Sequence, residues 1–145
     1  MLKIGGILNI IIAVAHIIGL FWAEQMFEKT GAVEGMKELA QIHYSIPYLS
    51  TIFVAIIFFI FGIYGVLANS KIRKLPLLKL GIFGISFIYL FRGIGEQSYN
   101  QIKGTTTTSE TIQSIVALII GLLFLFGGLK KWTLKKRITN AQQSI

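Results

Sequence analysis

Apolar positions fall into four long runs separated by polar connections. The first, 4–23, is broken only by Asn9 and His16, and the second, 46–68, carries no charge. The third, 75–97, is interrupted by Lys79, Arg92 and Glu96, and the fourth, 111–129, is again uncharged. Crossing about 30 Å of hydrocarbon takes roughly 20 apolar residues. Lipid offers backbone N–H and C=O groups no partner, so each run is predicted as a helix. The fold class expected is therefore all-α: one integral membrane domain over 1–145, a polytopic four-helix transmembrane bundle.

The run ends carry stop and start signals. Ser45 is placed to cap the second span, with Pro47 tolerated in its first turn, and Asn69 follows its last apolar residue. Pro76 is expected to open the third span, and Thr107 with Glu110 has capping-box spacing ahead of the fourth. Trp22 and Trp132 lie where interfacial anchors belong. The first run is longer than a signal-peptide core and no small-x-small site follows Trp22, so it reads as a retained helix. In the long connection after it, Met36, Leu39, Ala40 and His43 recur with helical spacing, predicting a short interfacial helix between the first two spans. The threonines 105–108 read as an exposed loop.

Composition sharpens this picture. Charged residues make up 14% of the chain, against about a quarter in a soluble domain. With no cysteine, disulfides, thiolate metal sites and cysteine nucleophiles are excluded. The net charge is +8 and is unevenly shared. The N-terminus, the 69–79 connection and the tail 130–145 hold ten basic and no acidic residues; the opposite side holds four basic and six acidic. Lys and Arg concentrate on the cytoplasmic side, so both termini are predicted inside a cell (inner) membrane, with a basic cytoplasmic tail. The excess charge is accounted for by topology and anionic lipid, and no nucleic-acid partner is expected.

Polar residues within the spans are the candidates for chemistry, because intramembrane charge is costly. The clean stretch 80–91 is too short to span, which draws Arg92 into the bilayer; Lys79 can snorkel inward to the cytoplasmic headgroups. Ile88, Arg92 and Glu96 share a helix face with Gly81, Gly84 and Gly95 nearby, so this face is predicted to point into the bundle. Asn9 and His16 are nearly aligned on the first span; Thr51, Ala55 and Gly62 follow Tyr44 and Tyr48 on the second. Ser114, Ala117, Gly121 and Gly128 mark the fourth. Projected depth puts Glu24, Tyr48, Arg92 and Glu96 near one end, with His16 about 12 Å deeper than Glu24. A ligand site lined by His16, Glu24, Tyr48, Arg92 and Glu96 is expected, with Phe21, Ile88 and Phe91 as its apolar wall. The two histidines lack metal-motif spacing; neither metal nor cofactor is expected.

The His16-x(7)-Glu24 stripe, the Arg-Gly-Ile-Gly-Glu run at 92–96 and the four spans resemble small bacterial four-helix membrane proteins of the DoxX-like type. The resemblance covers the chain in architecture and implies the fold alone. Three function classes follow from the residues. The leading one is binding or transport of a small anionic or amphipathic ligand through Arg92, with membrane lipids as partners and a homo-oligomer where a passage is needed. An accessory subunit whose polar faces only specify pairing is the second. The third is an intramembrane enzyme on a lipophilic substrate, with His16 or Glu24 as acid/base and Arg92 as stabiliser.

Overall fold

The computed structural model describes residues 1–68, 70, 75–103 and 107–143, with side chains except at 96, 97, 99–101, 103 and 134–143. Among these residues there is no strand. The helices are α1 (Leu2–Gly19), continued by a 3-10 turn (Leu20–Trp22), then α2 (Ala23–Thr30), α3 (Val33–Ile42), α4 (Ile46–Leu67), α5 (Leu78–Lys103) and α6 (Thr108–Gln143). Four stretches, Leu2–Thr30, Ile46–Leu67, Leu78–Gly95 and Thr108–Thr133, are long and apolar enough to cross a membrane.

The bundle is assembled from two antiparallel pairs. Gly6 on α1 meets Gly62 and Gly65 on α4 with backbone against backbone. This close approach supplies the van der Waals contact that must replace a hydrophobic driving force in lipid. In the other pair, Gly121 of α6 receives Leu90 of α5, and Gly93 of α5 receives Leu118 of α6. The Ser86 hydroxyl donates to the Gly121 carbonyl at 2.9 Å. The pairs meet at one end, here called proximal, where Leu2 packs on Gly127, Phe124 packs on Gly5 and Tyr64 of α4 packs on Gly81 of α5. Lys131 donates to the Ala68 carbonyl at the same end. Phe124, Ile82 and Ile120 are fully buried there, and the core rises through Ile85 to Tyr89 and Ala117. Outward faces stay apolar, as at Ile11, Phe53 and Phe87, which suits contact with acyl chains.

Several sequence expectations need correction. Ser45 stands at the α4 N-cap position, but its side chain makes no cap; its backbone N–H instead donates to His43 Nδ1 at 3.2 Å. Pro76 does not open α5, because Leu77 adopts a left-handed φ of 47° and turns the chain before Leu78. The short helix expected around residues 36–43 is present as α3, and a further helix, α2, precedes it across Gly31 (φ 74°). There Gly31 N–H donates to Glu28 O and Ala32 N–H to Phe27 O, a Schellman motif that accepts glycine readily. Residues 130–143 continue α6. Trp132, at the end of the fourth span, packs on Phe83 with ring centroids 5.6 Å apart. Asn69 and residues 104–106 lie outside the described residues. The capping box does form: Glu110 Oε2 accepts from both the Thr107 N–H and its hydroxyl at 2.9 Å.

Candidate functional site

Above Tyr89 and Ala117 the two helix pairs separate and enclose a cavity of about 560 Å³ at the distal end. Such a volume accepts a small ligand. Its roof comes from α2 and α3, folded back by the Gly31 turn. Met36 and Leu39 of α3 line it, and the Ser50 hydroxyl of α4 sits 3.8 Å from Met36 Sδ. The side between α1 and α6 is shut by α2. Ser109 Oγ donates to Lys29 O at 2.5 Å and Gln113 Nε2 to Thr30 O at 3.1 Å, satisfying carbonyls left open at the α2 C-terminus. Phe27 is buried in that closure.

A polar and aromatic network forms the floor. Tyr89 is buried, and its hydroxyl donates to Asn9 Oδ1 at 2.5 Å; Asn9 Nδ2 donates to Gly5 O at 2.8 Å. This bond ties the α1–α4 pair to the α5–α6 pair. The Tyr89 ring stacks on Phe58 at 6.2 Å, and Phe58 lies 5.2 Å from the His16 ring. His16 Nδ1–H donates to Ile12 O at 2.8 Å, one turn back along α1. That bond selects the tautomer in which a neutral imidazole offers Nε2 as an acceptor. Thr51 is buried against the cavity and donates to Pro47 O at 2.9 Å, keeping its oxygen's acceptor capacity. Arg92 is exposed and borders the cavity, and Glu110 borders it while committed to its cap.

Of the five residues expected to form the site, His16 and Arg92 line this one cavity. Glu24 is exposed on α2, and Tyr48, 43% exposed, lies on the outside of α4; neither lines it. The side chain of Glu96 lies outside the described residues, and with it the expected Arg92–Glu96 pair. The proposed wall fails as well: Phe21, Ile88 and Phe91 are 80%, 51% and 70% exposed. The α5 face bearing Ile88, Gly84 and Gly95 points outward, with open space beside both glycines. The packed face is instead Ser86, Tyr89 and Gly93. The wall is built by Ile12, Met26, Val54, Phe58 and Val116. Tyr89 was missed, although a hydroxyl in mid-span has to find a partner, and Asn9 supplied the matching need on α1. Among the described residues no group of three His, Asp or Glu could hold a metal.

The class defined is an all-helical bundle with four helices suited to a membrane and a half-open cavity at one end. Comparison with protein-family models, curated proteins and solved structures finds no match for this chain.

Proposed function

We propose that this protein is a multi-pass membrane protein that binds, and as an oligomer carries, a small anionic or amphipathic ligand in the distal cavity. The observation that carries the reading is the composition of that cavity: an apolar wall with His16, Thr51 and Arg92 among its polar groups, while the one carboxylate in the lining, Glu110, is engaged by the Thr107 cap. Arg offers two parallel donors to a carboxylate or phosphate, and a half-apolar enclosure favours a ligand that is itself part apolar. Native mass spectrometry of protein released gently from membranes should show a retained small molecule. In Arg92→Ala its occupancy should fall about tenfold, as for loss of a charge-assisted hydrogen bond. A bare protein mass in both samples would reject a ligand site.

The reading extends to orientation. The charge asymmetry supports both termini and 69–79 on the cytoplasmic face of the cell membrane, with the cavity opening toward the opposite leaflet. Ser70→Cys and Thr106→Cys variants should react with an impermeant thiol reagent from opposite faces of sealed vesicles. Labelling of both from one face would overturn the topology.

A further inference from the structure

The route into the cavity can be read from α5. Gly81 and Arg92 are separated by eleven positions, a net rotation of only about 20° at 100° per residue, so they lie on one side of the helix. Gly81 faces the Tyr64 ring of α4. Arg92 lies three turns nearer the distal end, at the edge between the α4-facing side and the outward side that carries Ile88, and it lines the cavity with Ser50 and Val54 of α4. In the proximal half α4 and α5 are joined by Tyr64 on Gly81, by the Tyr64 hydroxyl donating to Pro76 O at 3.1 Å, and by Phe58 and Phe61 against Tyr89. In the distal half the cavity lies between them. The α1–α6 side is closed by α2 and its hydrogen bonds to Ser109 and Gln113. The two open-side helices carry Phe53, Ile88 and Phe91 outward, each at least half exposed. An opening into water is ordinarily rimmed by polar groups, whereas this one is flanked by side chains that suit acyl chains.

We infer that the cavity is loaded sideways from the lipid phase, through the seam between the distal halves of α4 and α5. The ligand is an alkyl-chain amphiphile whose single carboxylate or phosphate is received by Arg92. Its chain passes inward to Ile12, Phe58 and Val116. The inference rests on the ligand reading above and adds to it the route and the ligand's tail. Guanidinium is weakly hydrated and binds oxyanions with two donors, so Arg92 at a lipid-facing seam recruits an anion that already resides in the membrane.

The test uses Phe58→Trp as a reporter in a Trp22→Phe, Trp132→Phe background, reconstituted in phosphatidylcholine vesicles. Chain-brominated stearic acid and a chain-brominated alkyl phosphate serve as quenchers, and the corresponding brominated alcohol as the neutral control. Saturable quenching is expected from the anions, with whichever of the two binds tighter identifying the headgroup, and about tenfold weaker quenching from the alcohol. Arg92→Ala should weaken the anions about tenfold and leave the alcohol unchanged. Val54→Phe narrows the seam and should slow the approach to quenching about tenfold, while Ile112→Phe, on the α6 side, should not. Ser50→Phe narrows the same seam and decides the matter if Val54→Phe fails to fold. Equal rates in the seam variants and Ile112→Phe overturn the lateral route but leave the ligand site standing. No saturable quenching by either anion in the unblocked reporter overturns both.

Discussion

Gly6→Val should be among the most damaging single substitutions in the bundle, lowering stability by about 3 kcal/mol or more, with Gly6→Ala costing about 1–3 kcal/mol. A Cβ at residue 6 would stand 2.5 Å from the Val66 nitrogen, 2.7 Å from the Gly62 carbonyl oxygen and 2.8 Å from the Gly65 carbonyl carbon. All three are backbone atoms of α4, so no side chain can swing aside and the helices have to move apart. Separation would break the backbone-to-backbone packing of α1 on α4, and lipid supplies no hydrophobic drive to restore it. Gly84→Ala is the matched control. It meets nothing within 4 Å, and alanine is favoured over glycine in a helix by up to about 1 kcal/mol. Reversible unfolding in mixed micelles measures both. Equal stability of Gly6→Ala and Gly84→Ala would show that the α1–α4 backbone contact is not made.

Much of the bundle was legible because lipid imposes simple rules. Long apolar runs marked the spans, and small or polar residues at helical spacing marked the inner faces. Asn9, Thr51, Ala55, Ser114 and Ala117 are all buried as that spacing implies. The third span misled for a physical reason. Gly81, Gly84 and Gly95 gather on the side that bears Arg92, so small residues marked that side as the inner face, yet Gly84 and Gly95 have open space beside them. A long cationic side chain can reach the edge of a cavity from an exposed position, so its charge is a weak guide to which way its helix faces. The packed face is centred instead on Ser86, Leu90 and Gly93, with Tyr89 turned toward α1 and α4.

The candidate site was half legible. His16 and Arg92 were found from polarity alone, because each interrupts an apolar run. Met26, Met36 and Leu39 were not, because they reach the cavity only after Gly31 folds α2 and α3 back over its mouth. The Thr30-Gly31 pair is a fair helix stop, but amphipathic spacing within residues 36–43 suggested one helix only. How far α6 runs past its apolar span was not legible, for a different reason. The Lys- and Arg-rich stretch after Leu129 ends the apolar run, yet it contains neither Pro nor Gly, and its Lys, Arg, Leu, Ala and Gln residues are good helix formers. Hydropathy marks where lipid contact ends, and it does not mark where the helix ends.

Tyr89→Phe should cost about 1–3 kcal/mol, the penalty for leaving a buried acceptor without its donor. Asn9 is 0% exposed, and its amide nitrogen is already committed to Gly5 O at 2.8 Å. Without the Tyr89 hydroxyl, 2.5 Å from Asn9 Oδ1, that oxygen would face an apolar interior. Asn9→Ala should cost at least as much, since it orphans the phenol and empties space between the helix pairs. The two losses should not add. A double-mutant cycle should give a coupling of about 0.6–1.7 kcal/mol, the range for interhelical hydrogen bonds in a membrane. Tyr48→Phe is the reference, because Tyr48 is 43% exposed and its loss should stay within about 0.5 kcal/mol. The same variants separate structure from binding. Tyr89→Phe keeps the ring that stacks on Phe58, so the cavity floor keeps its shape and ligand retention should be unchanged at temperatures where the bundle stays folded. If Tyr89→Phe leaves stability untouched but abolishes ligand retention, the hydroxyl contacts the ligand and is not the joint between the two helix pairs. A coupling near zero in the cycle would show independently that the hydroxyl is not the joint between the two helix pairs.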